Sequence, residues 1–171
     1  MAADLRLRPP RQEDERPARD AHEALRRAGY DFFHDHDADE PWSDVVDRLQ
    51  RRRRGIDIPP DRVRAAFLIA WVGDEIVGRA SIRLDLDDYL ALAGGHIGYA
   101  VLPAHRRRGH ATEILRQSLV IARSEGVDDV LVTCDVDNVA SQLVIERCGG
   151  EFEATVHDPQ DRVDKRRYWI R

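Results

Sequence analysis

Three consecutive arginines, Arg106–Arg108, lead into Gly109 and Ala111 in the stretch LPAHRRRGHATEIL. The residues after Gly109 predict a helix, and a helix N-terminus presents unpaired N–H groups and the positive end of its dipole. Glycine lets an anion approach this backbone closely, while arginine supplies forked donors for phosphate. The spacing Arg106-x-x-Gly109-x-Ala111 therefore predicts a pyrophosphate cradle; the alternative is an ordinary loop with a solvated basic cluster. The chain has neither a P-loop sequence nor a dinucleotide fingerprint.

The elements around this cradle alternate between strands and helices. The sequence predicts a strand at His96–Pro103, a helix at 110–126, a buried strand at Val130–Val136 and a short helix at Asn138–Cys148. A helix between two strands normally returns the chain parallel to its start. We therefore expect a parallel pair of strands in the middle of the sheet.

The flanking segments predict further strands and helices. They comprise a strand at Asp4–Arg8, helices at Ala18–Ala28 and Trp42–Arg53, a hairpin of AFLIAWV and EIVGRASIRL, and a final strand pair of EFEATVH and KRRYWIR. This order predicts an α/β (α+β) protein with one mixed sheet.

Charge and hydropathy exclude several classes of protein. The 171 residues include 27 Lys and Arg against 32 Asp and Glu, a net charge of −5, whereas a dedicated nucleic-acid binder has a basic excess. The longest apolar run, Ala65–Val72, is too short to cross a bilayer, and the first residues show no secretory pattern. Cys134 and Cys148 lie in apolar segments and suggest no disulfide framework. We expect a cytoplasmic protein with no nucleic-acid or membrane partner.

Two motifs in order carry a resemblance to a known family. HIGYAVLPAHRRRGHATEIL contains the cradle after GGHIGY, and VLVTCDVDNVASQLVIERCGGEF contains Asn138-x-x-Ser141. Over roughly residues 67–152 the chain resembles the GNAT acetyltransferase superfamily. The resemblance implies a GNAT fold: a mostly antiparallel sheet of six to seven strands, a central splayed parallel pair and helices on both faces. It also implies one domain over residues 1–171, with 1–62 facing the acceptor and 63–171 binding acetyl-CoA.

The resemblance assigns most of the site to acetyl-CoA. Backbone groups on the strand would meet the pantetheine arm, amides of the cradle would wrap the pyrophosphate, and the second motif would contact the arm beside the acetyl group. The implied residues are Tyr99, Ala100 and Val101; Arg106, Arg107, Arg108, Gly109, His110, Ala111 and Thr112; and Asn138 and Ser141. From the residues alone, a helix N-cap is the favoured explanation of Asn138.

The resemblance implies that an acceptor amine attacks the thioester directly. The amine must first lose a proton, because lysine amines titrate near ~10.4 and α-amines near ~8. His96 is the candidate general base, and a hydrogen-bonded structural histidine is the alternative. Many family members carry a tyrosine acid seven residues after the asparagine, but Ile145 stands there in this chain. A catalytically silent acyl-CoA-binding sensor is therefore the alternative function.

The acceptor side of the sequence is acidic. Asp85, Asp87 and Asp88 could attract a cationic amine, or they could be a solvated loop. A second acidic segment could border the acceptor entrance; its residues are Asp31, His34, Asp35, His36, Asp37 and Asp39. Adjacent residues in an unpatterned loop do not define metal geometry, so we expect no metal. The sequence leaves open whether the last hairpin closes a monomer or forms a homodimer.

Overall fold

The computed structural model of the protein describes residues 4–33, 37 and 39–171. These residues form seven strands: β1 (Leu5–Arg8), β2 (Ala65–Val72), β3 (Glu75–Arg83), β4 (Ile97–Val101), β5 (Val130–Asp135), β6 (Glu151–His157) and β7 (Asp164–Ile170). Their longer helices are α1 (Glu15–Arg27), α2 (Trp42–Arg54), α3 (His110–Ser124) and α4 (Val139–Arg147). Short helical turns lie at Gln12–Asp14, Leu90–Gly94 and Pro103–His105.

The strands form two antiparallel sheets, in the orders β1-β2-β3-β4 and β5-β7-β6. The sheets adjoin at β4 and β5, the pair that the family resemblance implies to be splayed. There the backbone N–H of His96 donates to the carbonyl oxygen of Leu131 at 2.7 Å. Farther along, β4 is hydrogen-bonded only to β3 and β5 only to β7 among the described strands. The expected α/β fold is confirmed, but the described strands form two antiparallel sheets rather than one mixed sheet, because β4 and β5 separate instead of pairing along their length.

Helices cover both faces of the first sheet, as predicted. Alternate residues of β2 point to opposite sides: Phe67, Ile69 and Trp71 pack with α1 and α2. Ala66 and Leu68 pack on the other side with residues of α3. Both faces of β2 are buried, and this explains why its sequence is a continuous apolar run rather than an alternating one.

The predicted element boundaries differ from the structure mainly at helix starts. α1 begins at Glu15 rather than Ala18, because Pro17 lies in the first turn, where a missing N–H costs no hydrogen bond. α2 ends at Arg54, and Gly55 follows it in the left-handed conformation (φ 77°) that glycine adopts without strain. The connection between β3 and β4 contains the turn Leu90–Gly94, which the sequence did not predict.

Candidate active site

The predicted cradle forms the start of α3. Gly109 precedes the helix with φ 83°, and no side chain caps the first turn. Arg107 also has a positive φ, 62°, a conformation that costs a non-glycine residue about 1–2 kcal/mol and is often retained at functional sites. The N–H groups of residues 107 to 112 donate no hydrogen bond to any described residue. The cradle is therefore a run of free backbone donors at the positive end of a helix, a suitable site for an anion.

The side chains of the cradle surround these free amides with positive charge. Arg106 donates from Nε to the carbonyl of Val101 at 3.2 Å, and its guanidinium lies 6.0 Å from the ring centroid of Tyr30. Arg107 and Arg108 are exposed. None of these three arginines forms an ion pair with a carboxylate in the described part of the chain. His110 is buried, and burial, followed by the charges of His105 and Arg108, lowers the pKa of its ring.

A cavity of about 280 Å³ opens beside β4 where β4 and β5 separate. Leu25 and Tyr30 line it from α1 and the residues after it, Tyr99 and Ala100 from β4, and Ser141 from α4, the helix after β5. The remaining lining residues are Val101, Arg106, Ala111, Asn138, Ala140 and Val144. The cavity joins most of the residues that the sequence assigns to one site.

A hydroxyl pair closes one wall of this cavity. Tyr99 Oη and Ser141 Oγ lie 2.7 Å apart, and the hydrogen bond connects β4 with α4 across the gap. Burial raises the pKa of Tyr99, so its phenol keeps its proton at neutral pH. The pair is therefore a proton-bearing group in an otherwise largely apolar cavity.

The second motif takes the form of a helix cap. Asn138 precedes α4, and its Oδ1 accepts a hydrogen bond from the N–H of Ser141 at 3.1 Å. The Asn138 amide nitrogen has no hydrogen-bond partner among the described residues and lies at the cavity. Ile145, seven residues on, is fully buried in the core beside Tyr168. The place where relatives carry a tyrosine acid thus belongs to the core of this protein.

His96 joins the two sheets. Its backbone N–H donates to the Leu131 carbonyl, and the N–H of Leu131 donates to His96 Nδ1 at 2.9 Å. The ring is buried, and burial, followed by the charge of Arg83, lowers its pKa. Because Nδ1 accepts a hydrogen bond, the neutral ring carries its proton on Nε2 and has no free acceptor. This geometry favours the structural alternative, and the general-base role stays a prediction.

The predicted acidic residues do not form one surface. Asp85 pairs with Arg64 (Nε to Oδ2, 3.4 Å), and Asp87 accepts the N–H of Leu90 at 2.8 Å. Asp88 is exposed. Their role toward an acceptor stays a prediction.

The loop after α1 is described only in part. Asp31 lines a second cavity, whereas His34, Asp35 and His36 lie outside the described residues. Among the residues that are described, no three His, Cys, Asp or Glu side chains are grouped to hold a metal ion. No helix in the same part of the chain is long and apolar enough to span a bilayer.

Sequence reasoning missed two parts of the site. Tyr30 and Leu25 reach the cavity from α1 and the residues after it, and nothing in their local pattern indicates this. Arg79 and Arg83 lie on β3 with their side chains turned inward. Their signal was present in EIVGRASIR, where two cations interrupt a strand that is otherwise buried.

An anion cradle at a helix start, next to a cavity between two splayed strands, defines an acyltransferase of the GNAT type. The family model described as acetyltransferase (GNAT) domain matches residues 4–151, so the chain belongs to the GNAT acetyltransferase family and is an acyltransferase enzyme. No curated protein matches the sequence.

Solved structures agree on the fold. RimJ from Mycobacterium smegmatis in complex with CoA-disulfide is 18% identical, with a TM-score of 0.75 over 99% of this chain and 82% of that chain. The putative acetyltransferase yncA from Salmonella typhimurium with acetyl-CoA is 17% identical (TM-score 0.63; 98% and 93% covered). Spermidine N-acetyltransferase from Vibrio cholerae with CoA and spermine is 15% identical (TM-score 0.65; 97% and 94% covered). At these identities the likeness concerns the fold alone.

Proposed function

We propose that this protein transfers the acetyl group of acetyl-CoA to a primary amine of a small molecule or peptide. The observation that carries the proposal is the run of free N–H groups from residue 107 to residue 112 at the left-handed Gly109. Two of the solved structures with the same fold hold acetyl-CoA or CoA, and a third holds CoA disulfide.

The residues present fit acetyl-CoA in both charge and shape. The cradle offers six consecutive amides and three arginines without carboxylate partners among the described residues, which suits a pyrophosphate. The narrow cavity beside it suits the pantetheine arm. On the cavity side β4 is an unpaired edge, so backbone groups of Tyr99, Ala100 and Val101 are available to amides of that arm. The unpartnered amide of Asn138 adds a donor at the same cavity.

Bound acetyl-CoA supplies a thioester whose carbonyl carbon is attacked by the acceptor nitrogen, so that a C–N bond forms and the C–S bond breaks. The Tyr99–Ser141 hydroxyl pair lies in the cavity where the sulfur would leave. A phenol whose pKa is raised does not surrender its proton to a thiolate whose conjugate acid titrates near ~8.5. The pair therefore donates a hydrogen bond to the thiolate, while solvent takes the proton that the acceptor nitrogen loses and supplies one to the thiolate. This replaces the tyrosine that Ile145 precludes.

The proposal divides the chain as the sequence predicts. Residues 63–171 supply the cradle, the splayed strands and the hydroxyl pair. Residues 1–62 supply α1, α2 and the segment at Tyr30 and Asp31, which borders both cavities. The acceptor thus approaches on the α1–α2 side of the sheet.

Replacement of Gly109 by Glu tests the proposal, because it adds a negative charge where the phosphates would lie. An added Cβ meets no atom within 4 Å, so the fold tolerates the side chain apart from the strain of the positive φ. We expect calorimetric affinity for acetyl-CoA to fall at least tenfold, since one lost charge-assisted hydrogen bond is worth about 1.5–3 kcal/mol.

Two controls separate charge from strain. Gly109→Ala introduces the same backbone strain at positive φ without adding a charge, so it should lose much less affinity for acetyl-CoA than Gly109→Glu. Gly126→Glu places the same side chain at a left-handed glycine (φ 92°) near the other end of α3, also without contacts, and should bind acetyl-CoA normally. Undiminished affinity in Gly109→Glu would sink the cradle assignment. Release of CoA thiol with a panel of amines then distinguishes an enzyme from a silent acyl-CoA sensor.

A further inference from the structure

Two arginines of β3 turn inward on the acceptor side of the sheet. Arg79 and Arg83 lie four residues apart, with Ser81 between them, so all three side chains share one face of the strand. Arg79 is only 7% exposed and Ser81 9%. Ser81 pairs across the sheet with Gly98 of β4. Arg83 NH1 and Arg79 NH1 lie 3.3 and 3.7 Å from the point where a Cβ on Gly98 would stand. The missing side chain of Gly98 makes room for both guanidinium groups.

Neither guanidinium forms an ion pair with a carboxylate in the described part of the chain; the charges of Asp31 and Asp87 act on Arg79 and Arg83 from beyond ion-pair distance. Arg79 donates to the carbonyl of Asp31 at 2.9 Å, and Arg83 makes long contacts to the carbonyls of Gly94 and Gly95 at 3.3 and 3.4 Å. The Nε of Arg79 is buried and has no hydrogen-bond partner. Burial, and then the charge of Arg83, lowers the pKa of Arg79 to about 10. Buried like charges without a carboxylate at ion-pair distance are costly, and a bound anion would offset that cost.

Arg83 borders a cavity, and Arg79 lies behind it on the same face of β3. Ser81 and Arg83 line it from β3, and Asp31, Asp87 and Gln160 line it from three different loops. The segment Tyr30–Asp31 connects this cavity with the one between β4 and β5, since Tyr30 lines one and Asp31 the other. In β4, Gly98 faces the arginines and the next residue, Tyr99, carries the hydroxyl of the other cavity.

We propose that the acceptor is a zwitterionic amine whose carboxylate or phosphonate binds Arg83 and Arg79, while its amine points to the gap between β4 and β5. The class is an amino acid or an aminoalkylphosphonate, and not a polyamine. This inference rests on the proposed acetyl transfer and adds the substrate class. The forked donors of arginine match a planar or tetrahedral oxyanion.

Matched acceptor pairs test the proposal through kcat/KM for CoA release. L-Phenylalanine is compared with L-phenylalaninamide, 2-aminoethylphosphonate with ethanolamine, and spermidine serves as a purely cationic acceptor. We expect at least a tenfold preference for the oxyanion member of a pair. The α-amine of phenylalaninamide is less basic than that of phenylalanine, so more of it is neutral and reactive. A preference for phenylalanine therefore reports binding of its carboxylate. Equal or better use of the neutral members or of spermidine overturns the inference and leaves acetyl transfer intact.

Variants then assign the preference to the arginines. Arg83→Gln should lower kcat/KM at least tenfold for the acid and less than twofold for its amide, as one charge-assisted hydrogen bond predicts. Exposed Arg123→Gln on α3 is the matched control and should change neither. Ser81→Asp places a carboxylate between the two arginines, so it should raise the melting temperature and abolish the preference. If Arg83→Gln and Ser81→Asp both keep the wild-type preference for the acid over its amide, the arginines do not bind the oxyanion.

A binding measurement separates this inference from the proposed function. At constant ionic strength, methylphosphonate and acetate should raise the melting temperature of the wild type more than that of Arg83→Gln. Equal shifts overturn the oxyanion site whatever the turnover. If the wild type does not bind acetyl-CoA in calorimetry, by contrast, the proposed acetyl transfer is overturned. The melting-temperature shifts then still decide whether the arginines bind an oxyanion.

Discussion

His96 offers the sharpest test of how the two sheets are joined. Its Nδ1 accepts the N–H of Leu131, and both residues are buried. His96→Ala leaves that N–H without an acceptor, which costs about 1–3 kcal/mol. For a chain of this size 1 kcal/mol corresponds to about 2–4 °C, so we expect a fall in melting temperature of about 4–8 °C for a loss of about 2 kcal/mol. His96→Asn can restore the acceptor through its Oδ1 and should lose less than half as much.

The pH dependence of stability follows from the lowered pKa of His96. Burial and Arg83 hold the folded pKa below the unfolded value near ~6.5. As the pH falls below ~6.5, the unfolded chain binds the proton first, so the contribution is complete above that pH and is lost below it. His96→Asn removes this titration. The free energy of unfolding, measured in urea, should therefore fall more steeply for the wild type than for His96→Asn as the pH falls below about 6.5.

The same two variants decide the catalytic question. If His96 only joins the sheets, His96→Asn keeps kcat and the shape of the pH–rate profile. The reasoning is refuted if His96→Asn binds acetyl-CoA normally but loses turnover together with the acidic limb of the profile, which would identify His96 as the base. It is also refuted if Asn is as destabilising as Ala, because the Nδ1 hydrogen bond would then contribute little.

Two further predictions concern other contacts. Asp158 is fully buried and accepts hydrogen bonds from Lys165 Nζ (2.6 Å) and Tyr89 Oη (3.1 Å). Burial alone would raise the pKa of its carboxyl. The hydrogen bonds from Lys165 and from the amides of Gln160 and Asp161 outweigh that effect and lower the pKa to about 2. Asp158→Asn should lower the free energy of unfolding, measured in urea, by about 2–3 kcal/mol at neutral pH. The difference between wild type and variant should vanish as the pH falls from about 4 toward 2, because the carboxylate is then protonated. A difference that stays constant with pH would contradict the prediction. Tyr99→Phe and Ser141→Ala should each lower kcat about tenfold at unchanged acetyl-CoA affinity, and full turnover in both would exclude the hydroxyl pair as thiolate donor.

Much of the fold could be predicted because its signals are local. The helical face of α3, including Ile114, Leu115 and Leu119, is buried as the spacing predicts. Gly109 and Gly126 flank that helix with the positive φ that only glycine adopts freely. The cradle was predictable for the same reason, since its donors belong to consecutive residues.

The rest of the site depends on contacts between distant residues. Tyr99 and Ser141 lie 42 positions apart in the sequence and meet only after the two sheets have formed. Arg79 and Arg83 converge because the register pairs Ser81 with Gly98, and a shift by one residue would turn them to the other face. The sequence showed that His96 was polar within an apolar segment. It could not show that Nδ1 was already used by the N–H of Leu131.

The separation of β4 from β5 gives this protein four strand edges where a single seven-stranded sheet would have two. Unpaired edges normally invite pairing with other chains, and proteins protect them with charges, prolines or short strands. Here the two inner edges adjoin at His96 and Leu131, so each partly shields the other from a second protein's strand. The break in the sheet that leaves the β4 edge unpaired therefore also keeps that edge between the two sheets rather than at an outer rim.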